Sequence, residues 1–517
     1  MGSGPPAEVV VGVDAGTTAT KVTAFGLGSA WRASAIREYP LLHPRPGWQV
    51  QEPAALRAAV AEALAECVAA CRGARVVAIS LSAALHGLLG VDPAGEPLTP
   101  LLTWADSRAT AQADALRAAG LAEPLLARSG TPVHPMSPLA KLLWLREHEP
   151  AGYAATDRWL GVKDWVVLGL TGRTATELST ASATGLLDLA TGDWSPRTLA
   201  LPGLDGLSTD RLPPVLDPLA TLPLDPDVAR RAGLPAGTPV VLGAGDGPLG
   251  NLGTGALSPG VASLNIGTSA ALRATVTGRP PVSERAGHGT FCYALLRDTW
   301  VVGGAVSNGG AVVRWAKGVF AASVPGGSEA ELLSAVAGVP PGCEGLVAFP
   351  YLLAERAPLW DPHLTGAFLG VRHHHTAAHF ARAAVEGVAL QLWTVLDRLR
   401  ETAPVTRIHA TGGVFRSQLW RAVVADVLGL PVAVTDAAEG AALGAAALGL
   451  VALGRAGSLA AALAALGTGG EPVITEPAPE AARAYERVRS RIPGLTASLT
   501  AVGALYEGVA APTAAGG

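Results

Sequence analysis

The sequence predicts an α/β protein built from two similar domains with a cleft between them, and three observations support this fold class. A chain of 517 residues is too long for one ordinary hydrophobic core, so two domains of roughly 200 to 250 residues are expected. Strand-like and helix-like segments alternate along both halves, which is typical of α/β layers. A Gly-Thr turn between two apolar runs occurs at 16–18 and again at 267–269.

The pattern of the first half restarts within residues 253–262, where we expect the boundary between the domains. We divide the chain into a flexible N-terminus (1–8), an N-terminal domain (9–255), a C-terminal domain (256–470) and a tail (471–517). The N-terminus lacks the apolar segment of a signal peptide. The tail is rich in Ala, Gly and Pro, and we assign no chemistry to it.

Hydrophobic periodicity locates the main elements of each half. In the first half we expect buried strands at 9–13, 76–82 and 240–242, helices at 53–71 and 139–148, and a loop at 243–248. In the second half we expect a long helix at 376–401, strands at 407–410 and 431–434, and a buried helix at 440–454. The last of these helices is apolar but too short to span a membrane.

Composition argues against several classes of partner. The net charge is −4 and only 15% of the residues are charged, so neither nucleic acid nor an anionic membrane is expected as a partner. The cysteines, Cys67, Cys71, Cys292 and Cys343, form no metal-binding pattern and are expected to be buried free thiols, which fits the cytoplasm. The His373–His375 tract is interpreted as a solvated loop rather than a metal site.

The repeated turns have the residue types that bind phosphate. In Gly16–Thr18 and Gly267–Ser269, backbone N–H groups and hydroxyls are available to an oxyanion, and glycine permits close approach. Lys21 follows the first turn and adds a point charge. Two such turns, half a chain apart, predict two domains that hold one polyphosphate between them.

Two aspartates, Asp14 and Asp246, follow apolar strands and precede glycine-containing turns. Asp14 either caps its own turn or lies beside phosphates, where Mg²⁺ would have to separate the negative charges. Asp246 either caps a helix or presents its carboxylate at the end of a strand, ready to accept a proton from a substrate hydroxyl in phosphoryl transfer. The local sequence leaves both choices open.

Other polar residues at the ends of strands allow two interpretations each. His86 ends a buried strand and is either a satisfied structural group or a ligand contact. Asp106 and Arg108 lie beside Trp104, a combination that suits polyol binding and also occurs in many surface turns. The Gly412–Ser417 segment opens a helix whose N–H groups could meet a nucleotide.

Taken together, these segments resemble the FGGY carbohydrate kinases, members of the actin/hexokinase/Hsp70 superfamily. The resemblance extends over residues 9–454 and includes the signature at 366–371, continued by His379 and Phe380 and closed at 383–386. It implies two RNase H-like domains of the actin/hexokinase-type ATPase kind with an interdomain cleft, and it implies ATP and Mg²⁺ as cofactors.

The resemblance also assigns roles to residues. Asp246 matches the catalytic base of the family, and Asp14 is the residue expected to face the metal ion. The residues expected to bind the nucleotide are Thr17, Thr18, Lys21, Gly267, Thr268, Gly310, Gly413 and Ser417. The residues expected to bind the sugar are His86, Asp106, Arg108, His134, Lys141 and Asp246.

Within the family, residues 131–147, 179–187 and 350–360 resemble bacterial gluconokinases. Gluconate carries a carboxylate, so its site is expected to offer a cation. Lys141 is expected to reach away from the core, because it lies opposite the apolar stripe of its helix. The candidate cations are His134, Lys141, Lys163 and Arg108.

The sequence therefore predicts a cytoplasmic, ATP- and Mg²⁺-dependent kinase that converts D-gluconate to 6-phospho-D-gluconate. The alternative is a kinase for xylulose or for another pentulose or polyol. A non-catalytic sugar sensor and an actin-like filament protein are the alternatives from other classes. The expected partners are small molecules, a sugar acid and ATP, and the formation of a homodimer is left open.

Overall fold

The fold is taken from a computed structural model. It describes residues 6–278, 289–324, 329–353, 355–435, 439–467 and 471–506. Of the predicted flexible N-terminus, residues 1–5 lie outside the described residues, as do residues 507–517 of the tail. The division of the chain between residues 255 and 256 stays a proposal.

The first half of the chain contains the following elements. Its strands are β1 (Glu8–Ala15), β2 (Ala19–Gly26), β3 (Arg32–Glu38), β4 (Val50–Gln51), β5 (Arg75–Ala83), β6 (Leu89–Val91), β7 (Leu101–Leu102), β8 (Arg158–Leu160), β9 (Thr176–Glu177), β10 (Leu187–Asp188), β11 (Asp193–Trp194), β12 (Val215–Leu216), β13 (Thr221–Pro223) and β14 (Pro239–Gly245). Its helices are α1 (Pro53–Ala70), α2 (Thr110–Ala118), α3 (Ala122–Ser129), α4 (Pro138–His148), α5 (Pro150–Ala155), α6 (Val162–Thr171), α7 (Leu178–Ser182), α8 (Pro196–Leu199), α9 (Pro226–Ala232) and α10 (Asp246–Gly253).

The second half repeats the alternation. Its strands are β15 (Gly260–Ile266), β16 (Ala270–Thr277), β17 (Phe291–Leu296), β18 (Thr299–Val306), β19 (Val347–Phe349), β20 (Ala367–Leu369), β21 (Val405–Thr411), β22 (Val432–Val434) and β23 (Val473–Thr475). Its helices are α11 (Gly310–Phe320), α12 (Glu329–Gly338), α13 (Ala377–Leu399), α14 (Gln418–Leu428), α15 (Gly440–Ala452), α16 (Leu459–Ala465), α17 (Pro479–Arg489) and α18 (Ile492–Tyr506).

Each half is organised around one large sheet, and the two sheets share a topology. The first has the order β13-β14-β5-β1-β2-β3, in which β1, β2 and β3 are antiparallel and β5 and β14 run parallel to β1. The second has the order β17-β18-β16-β15-β21-β22-β23, with β15, β16 and β18 antiparallel and β21 and β22 parallel to β15. The predicted fold class of two RNase H-like domains is confirmed.

The predicted helices and strands are found and differ only at their ends, but the predicted loop at 243–248 is wrong. Strand β14 continues through Gly245, and helix α10 begins at the next residue. The strand can continue because Gly243 has a φ of +68° and an added Cβ there would lie 1.8 Å from Leu81 O. Asp246 is consequently the first residue of a helix that starts directly at the edge of the sheet.

Helices α10 and α15 join the two halves by packing backbone against backbone. A Cβ at Gly253 would lie 1.9 Å from Gly440 O, and one at Gly444 would lie 2.2 Å from Leu249 O. Helix α15 also packs on β1, where a Cβ at Gly12 would lie 2.2 Å from the carbonyl oxygen of Ala442. The absence of these side chains lets the first sheet approach a helix of the second half closely.

The cysteines agree with the expectation from composition. All four cysteines are buried thiols that take part in no disulfide, so that prediction is confirmed. Within the described parts of the chain, no helix combines the length and the apolar character needed to cross a membrane.

Candidate active site

A cleft of about 380 Å³ lies between the two halves, and both contribute to its wall. The side chains that reach it include Asp14, His86, Trp104 and Asp246 from the first half and Arg273, Tyr293, Arg356 and Trp360 from the second. The two predicted carboxylates therefore lie in one site.

The first phosphate-type turn joins β1 to β2 at the mouth of this cleft. Thr18 is exposed, and the Oγ1 of Thr17 accepts a hydrogen bond of 2.9 Å from the Nε1 of Trp104. The ammonium of Lys21 lies 3.6 Å from Glu439 Oε1, in the second half of the chain. The turn is thus connected both to the cleft wall and to the other domain.

The second turn joins β15 to β16 and supports the start of helix α11. The N–H of Gly310 donates to Gly267 O (2.8 Å), and that of Ala311 donates to Thr268 O (3.1 Å). A Cβ at position 310 would lie 2.7 Å from Gly267 O, so a side chain there would disturb the turn. The predicted nucleotide residues Gly267, Thr268 and Gly310 are therefore adjacent.

The segment after β21 lies at the same edge of the second sheet, because β21 runs parallel to β15. Gly412 has a φ of +121°, and its Cβ would lie 2.1 Å from Ile266 O. Gly413 is exposed with open space around it, and Ser417 is the N-cap residue of α14 without a side-chain capping hydrogen bond. Both are placed on the side of the sheet where the second turn lies.

Asp246 and Asp14 influence one another electrostatically. Burial raises the pKa of Asp246, while Arg273 and the N–H of Gly247, 2.7 Å from its Oδ1, act in the opposite direction. Burial and then the charge of Asp246 raise the pKa of Asp14 to about 6, although Asp14 Oδ1 accepts a 2.7 Å hydrogen bond from Ser82. Two mutually repelling carboxylates in one cleft are suited to a cation between them.

His86 is held as a neutral imidazole with a defined tautomer. It has a φ of +63°, which is uncommon for a residue other than glycine. Its Nδ1 lies 2.7 Å from Ala183 O and therefore donates, which leaves Nε2 as an acceptor 3.4 Å from the Tyr293 hydroxyl. Burial, followed by the charge of Lys141, lowers the pKa of His86 to about 3. His86 thus offers a hydrogen-bond acceptor and no positive charge.

Asp106 and Arg108 form a nearly inaccessible ion pair, with side-chain exposures of 0% and 2%. The carboxylate of Asp106 also accepts a 2.8 Å hydrogen bond from the N–H of Gln49. The guanidinium of Arg108 lies 3.6 Å from the Trp48 ring centroid. Because their charges are satisfied by each other, the two residues fix the loop that carries Trp104 and do not themselves line the cleft.

The prediction that Lys141 reaches away from the core is wrong. Lys141 is fully buried, and its ammonium donates to the carbonyls of His86 (2.6 Å) and Thr103 (2.7 Å). A second layer of the domain covers the helix face opposite its apolar stripe, so both faces are inside. Lys163 is also buried and forms an ion pair with Glu177. Neither ammonium lines the cleft.

His134, the remaining candidate cation of the four, is buried beside the cleft. Its Nδ1 accepts from the N–H of Met136 (3.2 Å), and its ring makes an edge contact with Trp360 at 5.8 Å between centroids. Burial holds the pKa of His134 well below its ordinary value. It is therefore neutral and cannot supply a charge to a carboxylate.

The positively charged side chains that line the cleft are Arg273 and Arg356, and neither was predicted as a site residue from the sequence. Arg273 follows the second Gly-Thr turn and lies six positions after Gly267, whereas Lys21 follows the first turn and lies five positions after Gly16. One extra residue along a strand moves a side chain to the other face. This difference in spacing could have marked Arg273 as a candidate site residue. Arg356 lies within the stretch 350–360, and no feature of the sequence singled it out.

The surface histidines and the family signature have structural partners outside the cleft. His373 and His374 are exposed, as predicted, whereas His375 is half-buried. The ligand atoms of Glu344, His374 and His375 lie within 4.8 Å of one another, and His374 Nε2 is 2.8 Å from Glu344 Oε2. Glu386, at the end of the signature, accepts hydrogen bonds from Arg382 (2.7 Å) and from the Tyr485 hydroxyl (2.6 Å). Glu386 thus anchors helix α17 of the tail rather than contacting a ligand.

Comparison with known proteins identifies the family. The sequence model for the N-terminal domain of the FGGY family of carbohydrate kinases matches residues 9–253, and that for the C-terminal domain matches residues 262–453. The chain belongs to this family. It is a sugar kinase, and members of the family use ATP as the phosphoryl donor.

Relatives of this kinase act on more than one sugar. A gluconokinase of Bacillus subtilis (strain 168) is 36% identical over 455 residues, which cover 86% of this chain and 88% of the relative. A xylulose kinase of the same organism is 30% identical over 445 residues, covering 85% and 87%. Sequence similarity is therefore higher to this gluconokinase than to this xylulose kinase.

Solved structures confirm the two-domain fold of the kinase. A gluconate kinase from Lactobacillus acidophilus superposes with a TM-score of 0.89 at 29% identity, covering 97% of this chain and all 100% of that one. A xylulose kinase from the same organism gives a TM-score of 0.88, also at 29% identity, with coverage of 96% and 100%. Backbone similarity alone does not distinguish the two sugars, so the substrate must be argued from the cleft.

Proposed function

We propose that the kinase transfers the γ-phosphoryl group of ATP to the primary hydroxyl of D-gluconate and forms 6-phospho-D-gluconate. The observation that carries the proposal is the presence of two guanidinium groups, Arg273 and Arg356, in the cleft that also holds Asp246. A neutral ketose has no charge to pair with them, whereas a sugar acid has a carboxylate. The 36% identity to the B. subtilis gluconokinase supports the same choice.

Asp246 is the proposed general base. It lies at the start of α10, where its carboxylate faces the cleft and can accept the proton of the attacking hydroxyl. Arg273 opposes the effect of burial on the pKa of Asp246 and so favours the ionised carboxylate that a base must be. Phosphoryl transfer then depends mainly on positioning and on the neutralisation of charge.

The two Gly-Thr turns are the proposed phosphate cradle, with Lys21 beside the first and Gly310 beside the second. Gly413 and Ser417 are proposed to meet the rest of the nucleotide. The carboxylate of Asp14, facing the same cleft as Asp246, has the oxygen donors that suit Mg²⁺. When bound, Mg²⁺ would neutralise charge on the phosphate oxygens.

A panel of acceptors tests the substrate. Coupled ADP release is measured with gluconate, xylulose, ribulose, glycerol and erythritol. We expect the highest kcat/KM with gluconate. An equal or higher value with xylulose would favour the second candidate function, that of a xylulose kinase. A B. subtilis xylulose kinase is 30% identical to this chain. ATP-dependent light scattering without ADP release would instead indicate a filament protein.

The Asp246→Asn variant tests the base. Its kcat with gluconate should fall by about 10² to 10⁴-fold, the usual contribution of a general base. The exposed Asp210→Asn variant serves as the matched control and should behave as wild type. Turnover of Asp246→Asn at the wild-type rate would rule out this role.

A further inference from the structure

Arg356 is a buried charge that projects into the cleft from the second half of the chain. The residue is only 9% exposed, and its guanidinium lies 4.6 Å from the centroid of the Trp104 ring. Its Nε donates to Ser307 Oγ and its Nη2 to Val306 O, both at 3.2 Å. These contacts hold the guanidinium in place and leave Nη1 without a hydrogen bond to the described residues.

No carboxylate balances this charge directly. Among the residues that the structure describes, no Asp or Glu oxygen lies within 4.0 Å of the Arg356 guanidinium. The adjacent Glu355 directs its carboxylate to the N–H of Arg356 (2.7 Å) and to Asn308 Nδ2 (2.7 Å). Burial lowers the pKa of Arg356 to about 10. The nearby charge of Glu355 acts in the opposite direction, but no carboxylate contacts the guanidinium directly. A buried cation without a carboxylate in direct contact is stabilised when an anionic ligand pairs with it.

The two arginines of the cleft occupy different positions relative to Asp246. A Cβ at Gly247 would lie 3.3 to 3.4 Å from guanidinium atoms of Arg273, which places Arg273 against the start of α10. Arg273 also lowers the pKa of Asp246 more than Arg356 does. Arg273 therefore packs against the helix that carries the base, whereas Arg356 packs against Trp104 and has the weaker effect on the pKa of Asp246.

The wall around Arg356 suits the hydroxylated carbon chain of a sugar. Neutral His86 and Tyr293 both line the cleft; the Tyr293 hydroxyl donates to His86 Nε2 at 3.4 Å, which leaves its oxygen as an acceptor for a ligand hydroxyl. The rings of Trp104 and Trp360 also line this wall and can pack against C–H groups. A ligand with hydroxyls along its length and a carboxylate at one end complements these groups.

We infer that Arg356 binds the carboxylate of the substrate, at the end of the sugar acid opposite the hydroxyl that Asp246 activates. This inference rests on the proposed function and adds the residue that makes the site select an acid. The four cations expected from the sequence, His134, Lys141, Lys163 and Arg108, are not needed for this contact.

The test compares gluconate with gluconamide, a neutral substrate of almost the same shape. The wild-type kinase should prefer gluconate by at least about 100-fold in kcat/KM, as expected when one partner of a charge-assisted pair is missing. Arg356→Met should lose about 100- to 1,000-fold with gluconate and less than tenfold with gluconamide. Equal losses with the two substrates, or a wild-type enzyme that does not distinguish them, would overturn the inference.

Three controls separate the possible reasons for a loss. Arg356→Lys keeps the charge and should retain part of the preference for gluconate. It therefore tests the inference even if Arg356→Met does not fold. Arg273→Met should lower turnover of both substrates alike, and a loss confined to gluconate in that variant would move the carboxylate site to Arg273 and refute the assignment. The KM for ATP in Arg356→Met should stay near wild type, because a rise there would indicate a displaced Ser307–Gly310 loop instead.

The proposed function and this inference fail in different ways. If the wild-type kinase phosphorylates neither gluconate nor another six-carbon sugar acid, the proposed function is wrong. If it phosphorylates gluconate but Arg356→Met keeps the wild-type ratio of gluconate to gluconamide, the assignment of Arg356 alone is wrong.

Discussion

Charged residues of the same type have different roles around this cleft, and their hydrogen-bond partners decide which. Lys141 and Arg356 are both cationic and both largely buried, at 0% and 9% exposure. The donors of Lys141 face the carbonyls of His86 and Thr103, so it holds in place the strand end that carries His86. Arg356 keeps a donor free of described partners and can therefore meet a ligand.

Replacement of Lys141 by Met should change the pH dependence of stability. Burial lowers the pKa of Lys141 from 10.5 to about 7 in the folded protein. Between these values the unfolded chain binds more protons, so this group makes stability rise with pH, by about 1.4 kcal/mol per pH unit. Above pH 10.5 the amine is neutral in both states and imposes no penalty on folding. As the pH falls towards 7, protonation favours the unfolded chain and the protein loses stability.

Urea denaturation at pH 7.5, 8.5 and 9.5 measures this effect. The free energy of unfolding should rise less steeply with pH in Lys141→Met than in wild type. The ratio of gluconate to gluconamide turnover should not change in Lys141→Met. Parallel pH profiles of wild type and Lys141→Met would contradict the structural role.

Buried glutamates connect segments that are distant in sequence. Glu355 joins the Arg356 segment to Asn308, next to the second phosphate turn. Glu386 joins helix α13 to the tail, because it accepts the hydroxyl of Tyr485 from helix α17. These carboxylates make several hydrogen bonds each, which compensates for their burial.

Tyr485→Phe should destabilise the protein without a comparable loss of activity. The Tyr485 hydroxyl donates to Glu386 Oε1 (2.6 Å) and accepts from Arg382 Nη2 (3.1 Å). Its removal leaves buried charged groups under-satisfied, which costs about 1–3 kcal/mol. Thermal denaturation checks the loss, and kcat/KM at a temperature below both transitions should stay within about threefold of wild type.

Tyr153→Phe is the matched control, because the buried Tyr153 hydroxyl has no hydrogen-bond partner in the described parts of the chain. This substitution should leave the melting temperature unchanged or raise it. If both tyrosine variants shift the melting temperature equally, the network around Glu386 does not stabilise the tail.

Periodicity was sufficient to predict the main buried strands and helices, but not the contacts between them. Strand β1 and helix α13 follow from their own apolar patterns, and the repeated Gly-Thr turn predicted two related sheets. Lys141 was misplaced because the pattern of one helix does not reveal a second layer over its other face. Arg356 could not be assigned because its position depends on Ser307 and Trp104, which are remote in sequence.

The relation between the two halves depends on the contact between α10 and α15. Helix α10 begins with Asp246, and α15 comes from the second half of the chain. Glycines at the crossing allow the two backbones to touch. The position of the proposed base relative to the second domain, and hence to the second phosphate turn, therefore depends on this helix crossing.

Gly444→Ala should disturb this contact and lower activity from a distance. The new methyl group would lie 2.2 Å from Leu249 O, a backbone atom, so α10 or α15 has to move. Overpacking of this kind costs about 1–3 kcal/mol of stability. Because Asp246 is on one of the two helices at the crossing, kcat should fall by about tenfold or more, since misplacement of a catalytic group slows the reaction strongly. Gluconate binding through Arg356 should change less.

Gly318→Ala, in helix α11, is the control because its methyl group would meet nothing within 4 Å. It should be as active as wild type and as stable or more so. Denaturation curves and steady-state kinetics on both variants decide the matter: a Gly444→Ala enzyme with wild-type stability and kcat would show that the two halves do not depend on this crossing for their alignment.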